Sequence, residues 1–380
     1  MSSREENTIK KINDSFNYIL KDFSQEEIKE SYENPKYISY VAPKKLKIEP
    51  YIVFIIFVYL KKYNFSGRWE KIAWALSIRY KGVAITYSHQ KFGFRVSVCD
   101  DNKNGKLIAK ESLEQIRKAV HLAEKLIEPY VHAKLDSGQV SVPNNYKELA
   151  DRYKYFRKKA EHHFSKIDKS FKNEHLIWAV FNDSIVKATN YSIAMLDAYF
   201  SLLEHILVLI RPFVLQESTK NLSNYVGSNW STKYKTIFNI EKNAKAKYHY
   251  QQLIDIKENY RNVFAHGNFR KEGGSFHIHM EHLGALPFQL TKSKQSLVFS
   301  SSRIYPSYYN DICKQLNNFD NFLAANQTRY GMVYIKSGLP VAFDNNSITL
   351  YHSCMTSTKK FEEFIHFRAM EIDNALNMDW

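Results

Sequence analysis

The chain has 380 residues, with 54 Lys and Arg against 39 Asp and Glu, so its formal net charge is +15. A hydrophobic fraction of 44% is sufficient for packed cores, and the low content of 12 Gly and 9 Pro excludes collagen-like and linker-rich chains. The three cysteines form no CxxC pair, which argues against a disulfide framework or a zinc ribbon. The length predicts two domains, and an aromatic fraction of 15% with excess cations is typical of proteins that contact nucleic acid.

The first part of the chain predicts an α+β domain. A helical pattern runs over residues 5–33 and ends before Pro35, because proline disfavours helical geometry in the preceding residue. Residues 51–60 are apolar but shorter than the about 20 residues that span a bilayer, so they predict a buried helix or strand. The polar start lacks the apolar run of a secretory signal, and we therefore expect a cytoplasmic protein without a membrane partner.

Two further elements and a linker complete this domain. Ser66 is a candidate N-cap for a short helix that continues to Leu76. Residues 82–100 alternate apolar and polar side chains, which predicts a β-hairpin, and residues 109–134 have the period of an amphipathic helix. A cluster of Ser, Gly, Pro and Asn at 137–145 indicates a linker. We therefore expect residues 1–140 to form an N-terminal domain with a recognition or regulatory role.

The second predicted domain, residues 145–380, is mainly helical. A long helix over about 176–213 carries one apolar stripe, made of Ile193, Leu196, Phe200, Leu203, Leu207 and Ile210. The remaining pattern predicts a striped helix over 243–266, two strands in 275–300, a helix over 306–325, a β-hairpin over 329–351 around Ser337-Gly338, and a last helix to about 376. The fold class is therefore mainly α, an antiparallel helical bundle with small β additions that follows an α+β domain.

The segment that ends the second striped helix is the most informative part of the sequence. It reads Arg261-Asn262-x-x-Ala265-His266-Gly267 and resembles the signature of HEPN-domain proteins, an all-helical family whose ribonucleases carry Arg, four to six residues, then His. Asn after Arg, the closing Ala-His-Gly and the striped helix upstream distinguish it from the Arg-to-His spacings that begin at Arg157 and Arg270. The resemblance covers about residues 145–325.

This resemblance implies a fold, an activity and partners. Similar proteins are metal-independent endoribonucleases without a cofactor, and they act as toxins or antiviral defence effectors on cellular RNA. They dimerise, so that two Arg-His pairs face each other in one cleft. For this chain the resemblance implies a homodimer, Arg261 and His266 as catalytic residues, and control by an antitoxin or an activating trigger.

The residue types suit that chemistry. Metal-free RNA cleavage uses the 2′-hydroxyl as the nucleophile and needs a base, an acid and a cation at the phosphoryl group. An imidazole with a pKa near 6.5 exchanges protons at neutral pH, and a guanidinium forks two hydrogen bonds to phosphate oxygens. His266 is therefore the candidate general acid/base and Arg261 the candidate phosphate clamp.

The spacing of these residues leaves two interpretations open. Arg261 and His266 lie about 140° apart on an ideal helix, whereas Asn262 and His266 share a face. A loosened last turn would let Arg261 reach the same cleft, with Asn262 orienting the imidazole as a supporting residue. Alternatively, Arg261 pairs with a carboxylate such as Glu204 or Glu258, and His266 only stabilises the helix C-terminus.

Other charged residues of the second domain are candidates either for neighbours of the site or for RNA contact. Asp197 and Glu204 on the upstream helix are possible polar neighbours of the site or ordinary helix-pairing charges. The cations predicted to bind RNA are interleaved with Tyr and Phe, although such clusters also form plain solvated surfaces; they are Lys233, Lys235, Lys245, Lys247 and Arg270.

A histidine-rich segment supports a different reading. Residues 277–282 spell HIHMEH, which resembles the HxHxDH metal motif of metallo-β-lactamase-fold hydrolases, with His277, His279 and His282 as ligands. The helical context before the motif does not fit that family. The alternatives to a ribonuclease are thus a catalytically inactive HEPN-like module that binds RNA or protein, and a metal-dependent hydrolase.

Overall fold

The fold is given by a computed structural model, which describes residues 3–25, 37–42, 48–99, 104–170, 177–216, 221–262, 269–270, 273–289 and 304–379. The described chain is mainly helical, as the sequence predicts. It divides into two compact units, the first made of Met1–Lys134 with His366–Trp380 and the second of Leu135–Ile365.

The last residues differ from the predicted division. The sequence places residues 366–380 with the second domain, whereas the structure groups them with the first unit. There, the backbone N–H of Lys71 donates to the Met378 carbonyl, and the Lys71 ammonium pairs with the Asp379 carboxylate. Long-range contacts of this kind leave no local pattern in the sequence.

A five-stranded antiparallel sheet forms the frame of the first unit, in the order β1-β3-β4-β5-β2. The strands are β1 Phe23–Ser24, β2 Tyr37–Val41, β3 Ile72–Tyr80, β4 Val83–Gln90 and β5 Gly93–Cys99. Strands β4 and β5 confirm the hairpin predicted over residues 82–100. The short helix predicted from Ser66 to Leu76 is wrong. Its second half belongs to strand β3, in which every second side chain points into the core of the unit: Trp74, Leu76, Ile78 and Tyr80.

Helices pack on one face of this sheet. They are α1 Ser3–Ile19, α2 Pro50–Phe54 with a π-helical continuation Ile55–Leu60, and α3 Gly105–Asp136. Helix α1 ends earlier than the predicted residue 33, and residues 26–36 lie outside the described part. The apolar stretch 51–60 is helical, and it buries Ile52, Val53, Ile56 and Phe57.

The second unit is built on an antiparallel pair of long helices, α4 Tyr146–Ser170 and α5 Ile177–Leu209. Tyr153 contacts Tyr199 at a ring-centroid distance of 5.1 Å, and His163 stacks on Tyr191 at 5.5 Å, so the two helices run in opposite directions. The predicted stripe of α5 is confirmed, since Leu196, Leu203, Leu207 and Ile210 are at most 1% exposed.

Helix α5 also has the composition of a membrane-spanning segment. Among the described residues, Asp183–Leu209 is the one helix long and apolar enough to cross a membrane, and 67% of its most apolar window is buried inside the protein. A core helix meets the same criterion, and the burial of α5 agrees with that role.

The rest of the second unit is assembled from short elements around α5. The helices are α6 Arg211–Val214, α7 Leu222–Gly227, α8 Trp230–Ile237, α9 Ala244–Ile256, α10 Pro306–Leu323, α11 Arg329–Lys336, α12 Asn345–Cys354 and α13 Thr358–Asn377, the last of which continues into the first unit. The strands are β6 Ser141–Val142, β7 Phe269–Arg270, β8 Gly273–Met280, β9 Gly284–Gln289 and β10 Val341–Ala342. Strand β10 pairs with β6, and β7-β8-β9 form an antiparallel sheet that agrees with the strands predicted from residue 275.

The β-hairpin predicted over residues 329–351 is wrong. Two helices, α11 and α12, occupy most of this segment, and only Val341–Ala342 form a strand. The predicted turn at Ser337-Gly338 exists, but it ends a helix: Gly338 has φ 82°, and its N–H donates to the Ile335 carbonyl. Gly331, Met332 and Ile335 face inward at helical spacing, which a short apolar run does not distinguish from a strand.

Gly331→Ala is expected to destabilise the second unit. A Cβ at this position would lie 2.7 Å from Ile210 Cγ1 and 3.1 Å from Phe213 Cβ. Overpacking costs about 1–3 kcal/mol and outweighs the gain in helix propensity of at most about 1 kcal/mol. We expect the free energy of unfolding in urea to fall by about 1 kcal/mol. Gly227→Ala, which meets no heavy atom within 4 Å, is the matched control. Equal stability of the two variants would contradict the close packing of α11.

Candidate active site

The candidate site lies where helix α9 changes its hydrogen-bond pattern. Residues Lys257–Arg261 form a π turn, in which the N–H of Asn262 donates to the carbonyl of Lys257, five residues back. The loosened last turn predicted before Gly267 falls on residues outside the described part and stays a prediction. π segments are frequent at functional sites, but Ile55–Leu60 adopts the same geometry in an apolar core, so the turn alone does not identify a site.

Arg261 is held by two oxygen atoms. Its Nε donates to Asp197 Oδ1 of α5 at 2.7 Å, and its Nη1 donates to Asn262 Oδ1 at 3.2 Å. The Arg261 side chain keeps 36% of its surface exposed. Charge-assisted bonds to a planar guanidinium fix its orientation as well as its position. Arg261 is therefore oriented by the protein and still accessible to a ligand.

Lys257 lies on the same turn and was missed by the sequence analysis. Its ammonium lies 5.4 Å from the ring centroid of Trp230 and 5.5 Å from that of Phe200. Burial lowers the pKa of Lys257, the charge of Arg261 lowers it further, and Glu204 opposes both effects. The spacing of four residues between Lys257 and Arg261 is the signal that could have identified it, because residues four apart share a helix face.

The carboxylates on α5 match these two cations. Asp197 and Glu204 are seven residues apart, which places them on one face of the helix. Asp197 forms an ion pair with Arg261, and the negative charge of Glu204 raises the pKa of Lys257. The sequence suggested Glu204 or Glu258 as the carboxylate partner of Arg261, whereas the structure pairs Arg261 with Asp197, which was expected only as a polar neighbour. Both interactions run between α5 and the end of α9, so they connect two separate parts of the sequence.

His266 lies within residues 263–268, outside the described residues. Its distance from Arg261 therefore remains a prediction, and so does an orienting hydrogen bond from Asn262. The described atoms show that Asn262 Oδ1 accepts from Arg261. Asn262 thus supports the arginine.

The predicted RNA-binding cations fall into three groups. Lys235, Lys245 and Lys247 are exposed. Lys233 is 4% exposed, which leaves almost none of its surface for a contact with RNA. Residues 233 and 235 lie about 200° apart on α8, and it is Lys233 that shares the inner face with Trp230. Arg270 lies in strand β7, and its side chain is outside the described part.

The histidine-rich segment does not form a metal cluster among the described residues. His277 and His279 lie on one face of β8, and His282 follows in the turn with φ 66°; all three side chains are exposed. No group of three His, Cys, Asp or Glu in the described chain is arranged to hold a metal ion.

Arg157, the start of another Arg-to-His spacing, has a different environment. Its Nη1 donates to Tyr153 Oη at 2.9 Å and to Asn317 Oδ1 at 2.7 Å, and its Nε lies 3.1 Å from Glu161 Oε1. These contacts join α4 to α10. Three side chains of the protein therefore bind the Arg157 guanidinium. The Arg261 side chain is more exposed to solvent, at 36% against 23% for Arg157.

Comparisons of the chain with protein-family models, with curated proteins and with solved structures gave no match. The site is therefore interpreted from its own geometry and chemistry.

The pKa of Lys257 is expected to shift in opposite directions in two variants. Arg261→Ala removes a neighbouring positive charge and should raise it, whereas Glu204→Gln removes the opposing carboxylate and should lower it. NMR titration of the lysine side-chain signals measures both changes. Asp183→Asn is the control, since its carboxylate pairs with Lys187 instead. Shifts of the same sign in the two test variants would contradict this electrostatic arrangement.

Proposed function

We propose that the chain is a metal-independent endoribonuclease of the HEPN type. Arg261 clamps the phosphate, His266 is the general acid/base, and Asn262 supports Arg261. The observation that carries the proposal is the guanidinium of Arg261, which Asp197 and Asn262 orient while a third of its surface stays exposed. The motif supplies a histidine five residues further along the chain.

The reaction follows from these groups. A base takes the proton of the 2′-hydroxyl, the 2′-oxygen attacks the adjacent phosphorus, and the bond to the 5′-oxygen breaks. An acid protonates that leaving oxygen, so the products are a 2′,3′-cyclic phosphate and a 5′-hydroxyl. The guanidinium stabilises the charge that develops on the phosphoryl oxygens, and such stabilisation is commonly the largest single contribution to catalysis.

A single histidine does not easily serve as acid and base at once. In a homodimer the two Arg-His pairs face each other, and each histidine takes one role. The proposed biological setting is the cytoplasm, where the enzyme acts as a toxin or antiviral defence effector on cellular RNA. Control by an antitoxin or an activating trigger belongs to the same proposal, because an unregulated ribonuclease would harm its host.

A second candidate function is a catalytically inactive HEPN-like module that binds RNA or protein. The observation in its favour is the ion pair between Arg261 and Asp197, since the same contact joins α9 to α5 without any chemistry. The two candidates differ in what a substitution at the site does to RNA.

Purified protein should cleave labelled single-stranded RNA in the presence of EDTA and leave a 2′,3′-cyclic phosphate. Arg261→Ala and His266→Ala should each lower the rate by about 100-fold or more, because each removes a group that acts in the transition state. Thermal unfolding should change little, since an exposed ion pair contributes at most about 1 kcal/mol.

The matched controls are Arg152→Ala and His279→Ala, which change exposed residues of the second unit. Both variants should cleave RNA at the rate of the wild-type protein. Full activity of the Arg261 and His266 variants would favour the inactive module. Activity lost in EDTA, restored by zinc or manganese and reduced by His279→Ala would favour the metal-dependent hydrolase.

A further inference from the structure

Two adjoining clefts lie beside the end of α8. The larger, of about 730 Å³, is lined by Lys235, by Asn239 and Lys242 of the α8–α9 loop, and by Asn243 and Gln327. The smaller, of about 170 Å³, shares Asn243 and Gln327 with it and is also lined by Lys245. The larger volume lies within the range of about 300–1,000 Å³ that is usual for ligand sites.

The cations of these clefts have no acidic partners in the described part of the chain. No carboxylate there lies within 4.0 Å of the ammonium of Lys235, Lys242 or Lys245, whereas Lys187 and Lys359 of the same unit are paired. Glu241 is the one carboxylate among the lining residues described. A cleft dominated by one sign of charge concentrates ligands of the opposite sign.

The loop amides add hydrogen-bond donors. Asn239 Oδ1 accepts from the backbone N–H groups of Glu241 and Lys242, and Asn243 Oδ1 accepts from that of Ala246. With these oxygens engaged by the backbone, the side-chain NH₂ groups of Asn239 and Asn243 remain to bind a ligand. The clefts therefore suit an anion that is rich in acceptor atoms.

A series of contacts links the larger cleft to Arg261. Lys257, one π turn before Arg261, lies 5.4 Å from the Trp230 ring; Trp230 lies 5.7 Å from Tyr250; and the Lys235 ammonium lies 5.2 Å from Tyr250. Because Trp230 is only 4% exposed, this ring supports the cations and does not stack bases. These rings connect Lys257, four residues before Arg261, with Lys235 at the cleft.

We propose that the cleft beside Lys235 and Lys242 is a substrate subsite. It holds a nucleotide of the same single-stranded RNA whose scissile phosphate lies at Arg261, and Lys257 contacts the backbone between them. The inference rests on RNA being the substrate in the proposed function. A free nucleotide has the same phosphate chemistry, but separate cations at Arg261, at Lys257 and in the cleft fit a polymer with repeated charges.

Binding of a short fluorescein-labelled single-stranded RNA tests the subsite, in a His266→Ala background so that the RNA stays intact. Lys235→Gln/Lys242→Gln should weaken binding roughly tenfold, and the slope of log affinity against log salt should fall by about 1.4, at about 0.7 per phosphate contact on a single strand. The matched control is Lys147→Gln/Lys158→Gln, which removes two exposed lysines of α4 and should bind like the parent.

Each result has a separate meaning. Equal binding by the two double variants, while Arg261→Ala still abolishes cleavage, overturns the subsite and leaves the ribonuclease intact. Cleft-dependent binding without any cleavage by the wild-type protein supports the subsite and overturns the ribonuclease. Competition by ADP that equals competition by unlabelled RNA overturns the strand path, because the cleft then binds a free nucleotide.

Discussion

Helix α5 supports both the core of the second unit and the candidate site. The buried stripe runs along one face, and Asp197 and Glu204 lie beside it, roughly a quarter turn around the helix. Burying a side chain such as Leu203 stabilises the fold by about 1.5–3 kcal/mol, whereas an exposed ion pair such as Asp197–Arg261 contributes at most about 1 kcal/mol. The core therefore fixes α5, and the rigid helix then presents its carboxylates at defined positions.

The ion pair consequently matters more for orientation than for stability. Arg261 projects from the π turn that follows α9, where a long side chain has many rotamers, and two hydrogen bonds restrict it. The Lys257 ammonium lies over the buried rings of Phe200 and Trp230. Repulsion between Lys257 and Arg261 contributes to the lowered pKa of the lysine. Such a concentration of positive charge is well placed for a phosphodiester, with the α5 carboxylates limiting the repulsion when no ligand is bound.

The errors of the sequence analysis have a common physical origin. Residues 72–80 and 329–336 are short apolar segments, and a short run does not distinguish period two from period 3.6. Residues 72–80 form a strand that pairs with β4. Residues 329–336 form a helix in which Gly331 packs against Ile210 and Phe213. Lys233 and Lys235 look alike in composition, but they lie on different faces of α8, and packing buries the face that carries Lys233.

Local periodicity and turn residues predict the long elements, as the α5 stripe and the hairpin at 82–100 show. The sequence also supplied Arg261 as a candidate, because its neighbours in the chain carry the resemblance. Packing between helices pairs Asp197 with Arg261, places Lys257 over Trp230 and brings Lys235 to a cleft. These contacts join residues from separate helices, and packing between elements, which no local pattern encodes, brings them together.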